Sequence, residues 1–269
     1  MNTIGTVGVA GHGQVTLARV VRCEWIKLRT LRSIGLTLLA AVASVIGLGL
    51  ILTGVTANRW SNMSAADRAS LNPTQLSVGG YYLAVFVIGV LGVLVTSSEY
   101  STGTIRATLS AVPKRLPVLG AKAAVFAAVT WVLMTAAALV AFLAGQAVLG
   151  DHGTTLGEPG VLRIVLGVGL NLTVTGLLSV GLGMLVRSTA GGIAAVFGLL
   201  LVMPAMADLL PASLANHINQ YLPSNAAMAL LEQHREAHTL APWTGFAVFC
   251  LYAILALVGA ALVLKRRDA

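Results

Sequence analysis

The residues from Gly79 to Ser98 read GGYYLAVFVIGVLGVLVTSS, twenty in a row without Asp, Glu, Lys or Arg. A helix needs about 20 predominantly apolar residues to cross the hydrocarbon core of a bilayer, which is about 30 Å thick. This run is apolar on all sides, whereas a surface helix of a soluble protein carries a single apolar stripe. It therefore predicts a transmembrane helix.

Five other stretches have the same character. The six predicted spans are Ser33–Val55, Gly79–Ser98, Ala123–Gly150, Ile164–Val186, Ser188–Ala207 and Trp243–Leu264. Composition agrees, because 57% of the 269 residues are hydrophobic and only 10% are charged, against about 25% charged residues in a soluble domain. Helices are the expected spanning form because each satisfies its own backbone polar groups in lipid. We predict an all-α integral membrane protein with six transmembrane helices.

The segments around the spans complete the predicted organisation. Residues 1–13 are Gly-rich and uncharged, and they predict a flexible tail. Residues 14–32 predict an amphipathic elbow helix in the headgroup plane, because Trp25 and other apolar residues share one face and arginines lie opposite. The apolar face consists of Leu17, Val20, Val21, Trp25, Leu28 and Leu31. Residues 33–264 form the six-span domain, and residues 265–269 form a basic tail.

The distribution of Lys and Arg predicts the orientation. If the N-terminus lies inside, 13 of the 17 basic residues fall in inner segments and 4 in outer segments. Cytoplasmic loops of membrane proteins carry this excess. We therefore expect a multi-pass protein of the cytoplasmic (inner) membrane with both termini in the cytoplasm. The net charge of +8 follows from the same rule and does not indicate nucleic acid as a partner.

The sequence lacks the common motifs of soluble active sites. No Gly-Lys precedes Ser or Thr as in a phosphate-binding loop, and neither a G-x-S-x-G elbow nor a Cys/His zinc spacing occurs. We expect no catalytic residue and no cofactor bound by this chain.

An outer-loop cluster leaves a different function open. His234 and His238 stand four residues apart with Glu236 between them, which places both histidines on one face of a helix. A zinc protease requires His-Glu-x-x-His, and here the glutamate comes one position too late. A membrane-embedded metalloenzyme that uses these three residues is the first alternative. A non-transporting membrane immunity or scaffold protein is the second.

The most informative segment follows the second span and reads SEYSTGTIRATLSAVPKR from Ser98 to Arg115. Glu99 ends an apolar span, where an ionisable side chain is costly and usually functional. Ser101 or Thr104 then serves as a helix cap, and a short helix over Ile105–Ala111 is expected to stop before Pro113.

This loop resembles the first cytoplasmic loop of type-2 ATP-binding cassette (ABC) exporter permeases. The pattern there is Glu-aromatic-x-x-Gly-Thr, then a helix and a Pro-x-Arg ending. It matches at Glu99, Tyr100, Gly103, Thr104, Pro113 and Arg115. The elbow with Glu24, Trp25 and Lys27 and the outer segment Tyr221–Ala226 extend the likeness. An ABC importer permease, the rival within the superfamily, has its Gly six residues after the Glu, whereas Gly103 follows Glu99 by four.

The resemblance implies the membrane subunit of an exporter. Two permease copies, identical or of two kinds, would assemble in the lipid bilayer with a cognate ABC ATPase that uses ATP and Mg. Glu99 would anchor the loop to the elbow or to neighbouring basic residues, and Gly103 would provide a tight turn. The helix with Ile105 and Leu109 would seat in the ATPase, and Arg106 and Arg115 would offer charge to its surface.

Polar residues inside the spans are candidates for a substrate path or for hydrogen bonds between helices. They are Gln146, Asn171, Thr173, Thr175 and Ser179. The spans are otherwise apolar, and we expect none to carry a buried basic residue. This pattern favours a lipophilic or amphiphilic small molecule as cargo. Prolines 204, 211 and 223 further predict a kink in the fifth span and short re-entrant or capping helices within Met206–Leu240.

Overall fold

The computed structural model describes residues 16–101, 103, 115–233, 235 and 238–266. Within these residues all regular structure is helical and no strand occurs. The helices are α1 (Leu17–Thr30), α2 (Arg32–Arg59), α3 (Ala65–Ser70), α4 (Pro73–Ser77), α5 (Tyr81–Ser101), α6 (Arg115–Leu149), α7 (Val161–Val186), α8 (Thr189–Phe197), α9 (Met203–Ala207), α10 (Ala212–Ile218), α11 (Pro223–Met228) and α12 (Pro242–Arg266).

Six helical segments are long and apolar enough to cross a membrane, which confirms the predicted fold class. They are Arg32–Asn62, Tyr81–Tyr100, Leu116–His152, Val161–Val186, Thr189–Ala207 and Pro242–Arg266. Each overlaps one predicted span. We call the end of the bundle that carries α1 the inner end and the opposite end the outer end.

The fourth span, α7, is the centre of the bundle and packs against α5, α6 and α12. In the most apolar part of α7, 72% of the residues are buried, against 22% in the corresponding part of the fifth span. Small residues on α7 allow this packing, because glycines let helix backbones approach closely in a membrane protein. At Gly176, for example, an added Cβ would meet the ring of Phe126 on α6.

The contact between α5 and α7 predicts a strong effect at Gly92. A Cβ at this position would lie 2.5 Å from the carbonyl oxygen of Gly176 and 2.7 Å from Cβ of Ser179. We expect Gly92→Ala to lower the free energy of unfolding by about 1–3 kcal/mol, the usual cost of overpacking, measured by thermal unfolding in lipid nanodiscs. Gly54→Ala on α2 is the matched control, because its Cβ would meet nothing within 4 Å. Equal stability of the two variants would contradict the close packing.

The fifth span is interrupted before Pro204, where the sequence predicts a kink. Helix α8 ends at Phe197, a π-helical segment covers Gly198–Val202, and α9 continues from Met203. Pro204 has no backbone N–H and cannot donate to the carbonyl four residues earlier. The wider π winding therefore lies where the regular hydrogen-bond pattern is already broken, and such segments frequently mark functional sites.

Short helices α10 and α11 fill the outer segment between the last two spans, in the region predicted to contain them. The side-chain amide of Asn171 donates to the carbonyl oxygen of Ala227 at 2.6 Å. Asn171 lies ten residues into α7, or about 15 Å along that helix. Helix α11 therefore reaches into the bundle rather than lying on its outer surface.

Helix α1 is present, and four of the six residues of its predicted apolar face are exposed, which leaves that face available to lipid. Val20 is buried together with Glu24, whereas Leu17, Val21, Trp25 and Leu31 are exposed. Glu24 is buried because it has charged partners inside the protein, as described below. The location of α1 in the headgroup plane stays a prediction, as does the tail over residues 1–13, which lies outside the described residues.

Candidate functional site

Four charged side chains meet at the inner end of the bundle and form alternating ion pairs. Glu24 and Lys27 come from α1, Glu99 from the end of α5, and Lys122 from the first turns of α6. The Lys27 ammonium lies 2.7 Å from Glu24 Oε1 and 2.9 Å from Glu99 Oε1. The Lys122 ammonium lies 2.8 Å from Glu24 Oε2 and 2.9 Å from Glu99 Oε1. We call these four residues the ion-paired junction.

The junction is buried and electrically balanced. Glu24 and Lys122 are each 3% exposed, and Glu99 is 8% exposed. Lys122 also donates to the carbonyl oxygen of Val95 at 3.3 Å, so each of its three N–H groups has an acceptor. Buried charges are tolerated only when they are paired and hydrogen-bonded. The two carboxylates and two ammonium groups therefore stabilise one another. Removal of any one of them would leave a buried partner without its opposite charge.

Lys27 is the junction residue nearest to solvent. Burial alone would lower its pKa, but the hydrogen bonds and charges of Glu24 and Glu99 raise the pKa well above the usual value for lysine. Lys27 is therefore charged at neutral pH. Its stabilising contribution is fully present below the unfolded-state pKa of about 10.4 and is lost only as the pH rises through the higher folded-state pKa.

The position of the junction links three helices to one loop. Glu99 precedes the inner loop over 102–114, Lys122 follows it, and Glu24 and Lys27 hold α1 against both. A displacement of the loop would thus be felt by α1, α5 and α6 together. This arrangement can transmit a mechanical movement.

A second set of contacts connects the end of α5 to the next inner turn. The guanidinium of Arg187 stacks on the ring of Tyr100, 5.3 Å from its centroid, and the Thr189 hydroxyl donates to Ser97 Oγ at 2.9 Å. Arg187 ends α7 in the left-handed region with φ 56°. The short turn between the fourth and fifth spans is therefore attached to the helix that carries Glu99.

The predicted loop residues are only partly described. Gly103 has φ +69°, a left-handed conformation that favours glycine, and its N–H donates to the carbonyl oxygen of Tyr100 at 3.3 Å. Arg115 begins α6. Thr104, Ile105, Arg106, Leu109 and Pro113, with the predicted helix Ile105–Ala111, lie outside the described residues.

The elbow residues divide between two environments. Glu24 and Lys27 belong to the ion-paired junction. Trp25, between them, is 49% exposed and available to lipid.

Each predicted path residue makes a hydrogen bond within the protein. Thr173, Thr175 and Ser179 donate to backbone carbonyls four residues earlier. The Gln146 amide nitrogen donates to Ser77 Oγ at 2.8 Å, and its oxygen accepts from the Thr154 N–H at 2.7 Å. Of this set, Thr175 lines a cavity near the outer end.

Lys122 is the residue that sequence reasoning missed, and it corrects one expectation. The predicted third span begins at Ala123, one residue after Lys122, whereas Lys122 lies buried inside the observed third span, Leu116–His152. The expectation that no span has a buried basic residue is therefore wrong. A lysine within an apolar helix is costly enough to require a partner, and this was the signal in the sequence.

Of the three residues in the predicted outer-loop cluster, the structure describes His238. His238 adopts φ +66°, and His234 and Glu236 lie outside the described residues. Among the residues that the structure describes, no group of three His, Cys, Asp or Glu could hold a metal ion. Neither the metalloenzyme nor the immunity or scaffold alternative gains support.

A six-span helical bundle whose buried charges join three helices at one end is a polytopic membrane protein. Comparison with known families identifies the family to which the chain is similar. The model of the family described as ABC-2 family transporter protein matches residues 20–205. The chain belongs to this family. The match includes the whole junction and ends before α10 and α11. Compared with curated proteins, the sequence shows no match.

Proposed function

We propose that this chain is the permease subunit of an ABC exporter that moves a lipophilic or amphiphilic small molecule out of the cell with energy from a separate ATPase. Family membership supports a permease subunit. The export direction, the cargo and the ATPase belong to the proposal.

The ion-paired junction carries this proposal. A force on the inner loop would pull on Glu99, and Glu99 is bound to α1 through Lys27 and to α6 through Lys122. Because separation of these charges in a buried site is unfavourable, the three helices would move as a unit. An ATPase that closes on ATP beneath the loop could therefore rock this side of the bundle between inward- and outward-open states.

The partners follow from the same mechanism. The chain would work with two ATPase subunits and a second permease copy, identical or related, and substrate would pass between the permease copies. ATP and Mg would bind the ATPase. We retain Arg106 and Arg115 as the charges offered to it, and the turn at Arg187 as a lesser contact.

The cargo is proposed from the character of the spans. The one fully buried basic side chain in the described spans, Lys122, is paired with two carboxylates. It therefore presents no net positive charge that would attract an anionic substrate.

Purification of the tagged chain from its native membranes tests the function. We expect a co-purifying subunit with the G-x-x-x-x-G-K-[ST] motif and vanadate-sensitive ATP hydrolysis after reconstitution in nanodiscs. The variant Arg106→Glu/Arg115→Glu should lose this subunit, because charge reversal removes the attraction that the two arginines are proposed to provide. The outer-loop variant Arg59→Glu/Arg68→Glu is the matched control and should retain it. ATP hydrolysis by the permease alone, or an unchanged complex with the inner-loop variant, would contradict the proposal.

A further inference from the structure

An apolar cavity of about 160 Å³ lies near the outer end, between α5, α7, the π-helical segment, α11 and α12. We call it the tail cavity, and it is bordered by Tyr82, Phe86, Thr175, Leu201, Ser224 and Met228 among others. An engineered apolar cavity of about 150 Å³ takes up benzene. The tail cavity can therefore hold a ring or part of an alkyl chain.

The tail cavity can be reached from the side of the bundle. Tyr82 is 60% exposed and Leu201 is 52% exposed at its border. Leu200 and Leu201 both come from the π-helical segment. The irregular winding before Pro204 thus shapes the wall through which a lipid-dissolved molecule would enter.

One polar atom in this apolar wall lacks a partner. Ser224 Oγ is buried and makes no hydrogen bond in the described part of the chain. Buried polar atoms without partners are few in native proteins, and each requires an explanation. A bound molecule with a polar group near its apolar part would provide the missing hydrogen bond.

A second cavity of about 220 Å³, bordered mainly by residues with polar groups, adjoins the other side of α11. We call it the head cavity, bordered by Asn219, Gln220, Asn225, Met228, Glu232 and His238 among others. Ser224 and Asn225 are neighbours on α11 and border different cavities, and Met228 borders both. The unbranched Met side chain can repack to open a path between them.

The head cavity favours ligand groups that donate hydrogen bonds. Asn219 Nδ2 already donates to Asp208 at 2.7 Å, and Asn225 Nδ2 donates to the Asn219 carbonyl at 2.9 Å. Asn219 Oδ1 is buried and lacks a donor among the described residues. Glu232 also borders this cavity, and the Arg163 guanidinium donates to the Glu232 carbonyl oxygen at 2.7 Å.

We propose that the tail and head cavities are two halves of one binding site for a small amphiphile whose polar end is an amine or hydroxyl. The apolar part lies against the π-helical segment, and the polar end passes Met228 to donate a hydrogen bond to Asn219 Oδ1. This inference rests on the proposed function, because it names the class of molecule that an exporter of this kind would release.

Photolabelling of the full chain in phosphatidylcholine nanodiscs tests the site. The probe is a twelve-carbon primary amine with a mid-chain diazirine, and the comparison probes are the matching sulfate and the matching alkane. We expect the amine to label peptides that contain Leu201 or Ser224–Met228. Labelling by the sulfate should be about tenfold weaker, because the sulfate has no N–H or O–H group to donate to Asn219 Oδ1 and loses one charge-assisted hydrogen bond. Equal labelling by the sulfate would overturn the proposal.

Two variants separate the cavities. Leu201→Trp should block the tail cavity and abolish labelling by amine and alkane. Val202→Trp is its control, because Val202 is similarly exposed but does not border the cavity. Asn219→Leu should reduce amine labelling about fivefold and leave alkane labelling unchanged. If the substitution instead collapsed the site, labelling by both the amine and the alkane would be lost. Asn62→Leu, at an exposed outer position, is the polar control.

The outcomes distinguish this site from the proposed function. Unchanged labelling in Leu201→Trp, or no effect of Asn219→Leu, overturns the amphiphile site even if the ATPase still co-purifies. If labelling changes as expected in both variants but the chain binds no ATPase, the amphiphile site is supported and the proposed exporter function is overturned.

Discussion

Lys122→Met should lower the free energy of unfolding by about 3–5 kcal/mol, the usual cost of removing one partner from a buried ion pair. The substitution keeps most of the volume of the side chain but leaves Glu24 and Glu99 buried with Lys27 as their remaining cation within the junction. Two carboxylates in one buried site repel each other and lack solvation. Denaturant titration of the nanodisc-reconstituted protein, followed by tryptophan fluorescence, measures the change.

Two controls show whether charge balance is the cause. Lys265→Met, at the exposed end of α12, should leave the stability unchanged. In the double variant Glu24→Gln/Lys122→Met, one charge of each sign is lost, and the pair between Lys27 and Glu99 at 2.9 Å remains. Its cost should be less than the sum of the two single variants, with a coupling energy of about 0.5–3 kcal/mol. Additive costs would show that the four residues do not act as a unit.

Arg163→Met should release the outer segment from the bundle and lower the free energy of unfolding by about 2–4 kcal/mol. The Arg163 guanidinium donates to the carbonyl oxygens of Leu230 at 2.6 Å and Glu232 at 2.7 Å. Leu230 is buried, so its carbonyl would lose a partner where water does not replace it easily. Hydrogen exchange of the backbone amides of Leu230 and Leu231 should accelerate, together with the loss in stability.

Arg59→Met provides the matched control on the outer side. Arg59 ends α2 and is exposed, so its replacement should change neither exchange nor stability. If Arg163→Met matched this control, Arg163 would not hold the outer segment. If exchange increased and amphiphile labelling persisted, the head cavity would tolerate a looser outer segment.

The two effects act at opposite ends of the bundle. The junction joins α1, α5 and α6 at the inner end, and Arg163 attaches the segment around α11 to α7 at the outer end. Lys122→Met should therefore disturb the proposed response to an ATPase, whereas Arg163→Met should disturb the proposed amphiphile site.

Sequence reasoning predicted the spans well because the hydrophobic requirement is local. Each membrane helix satisfies its own backbone and needs only about 20 apolar residues, so the run from Gly79 to Ser98 indicates a span regardless of its neighbours. The π-helical segment was harder to predict from the sequence. Pro204 marks a weak point, but the contact of the π-helical segment with α11 joins residues that are distant in the chain, and the local sequence does not record it.

Sequence reasoning also identified Glu99 as costly, yet it left the partners open. Glu99 and Lys27 are 72 positions apart in the chain, and Lys122 was assigned to a loop. Ion pairing depends on distances of a few ångströms between side chains on different helices, and no periodicity in one segment records them.

Hydropathy and charge alone thus determined that this chain is a six-span helical membrane protein, because both act residue by residue along the chain. Only the tertiary structure decided that Glu24, Lys27, Glu99 and Lys122 neutralise one another, and that Ser224 and Asn225 border different cavities. The physical reason is that burial and pairing are properties of several helices packed together, and the free energy of a buried charge depends on neighbours that the linear sequence does not specify.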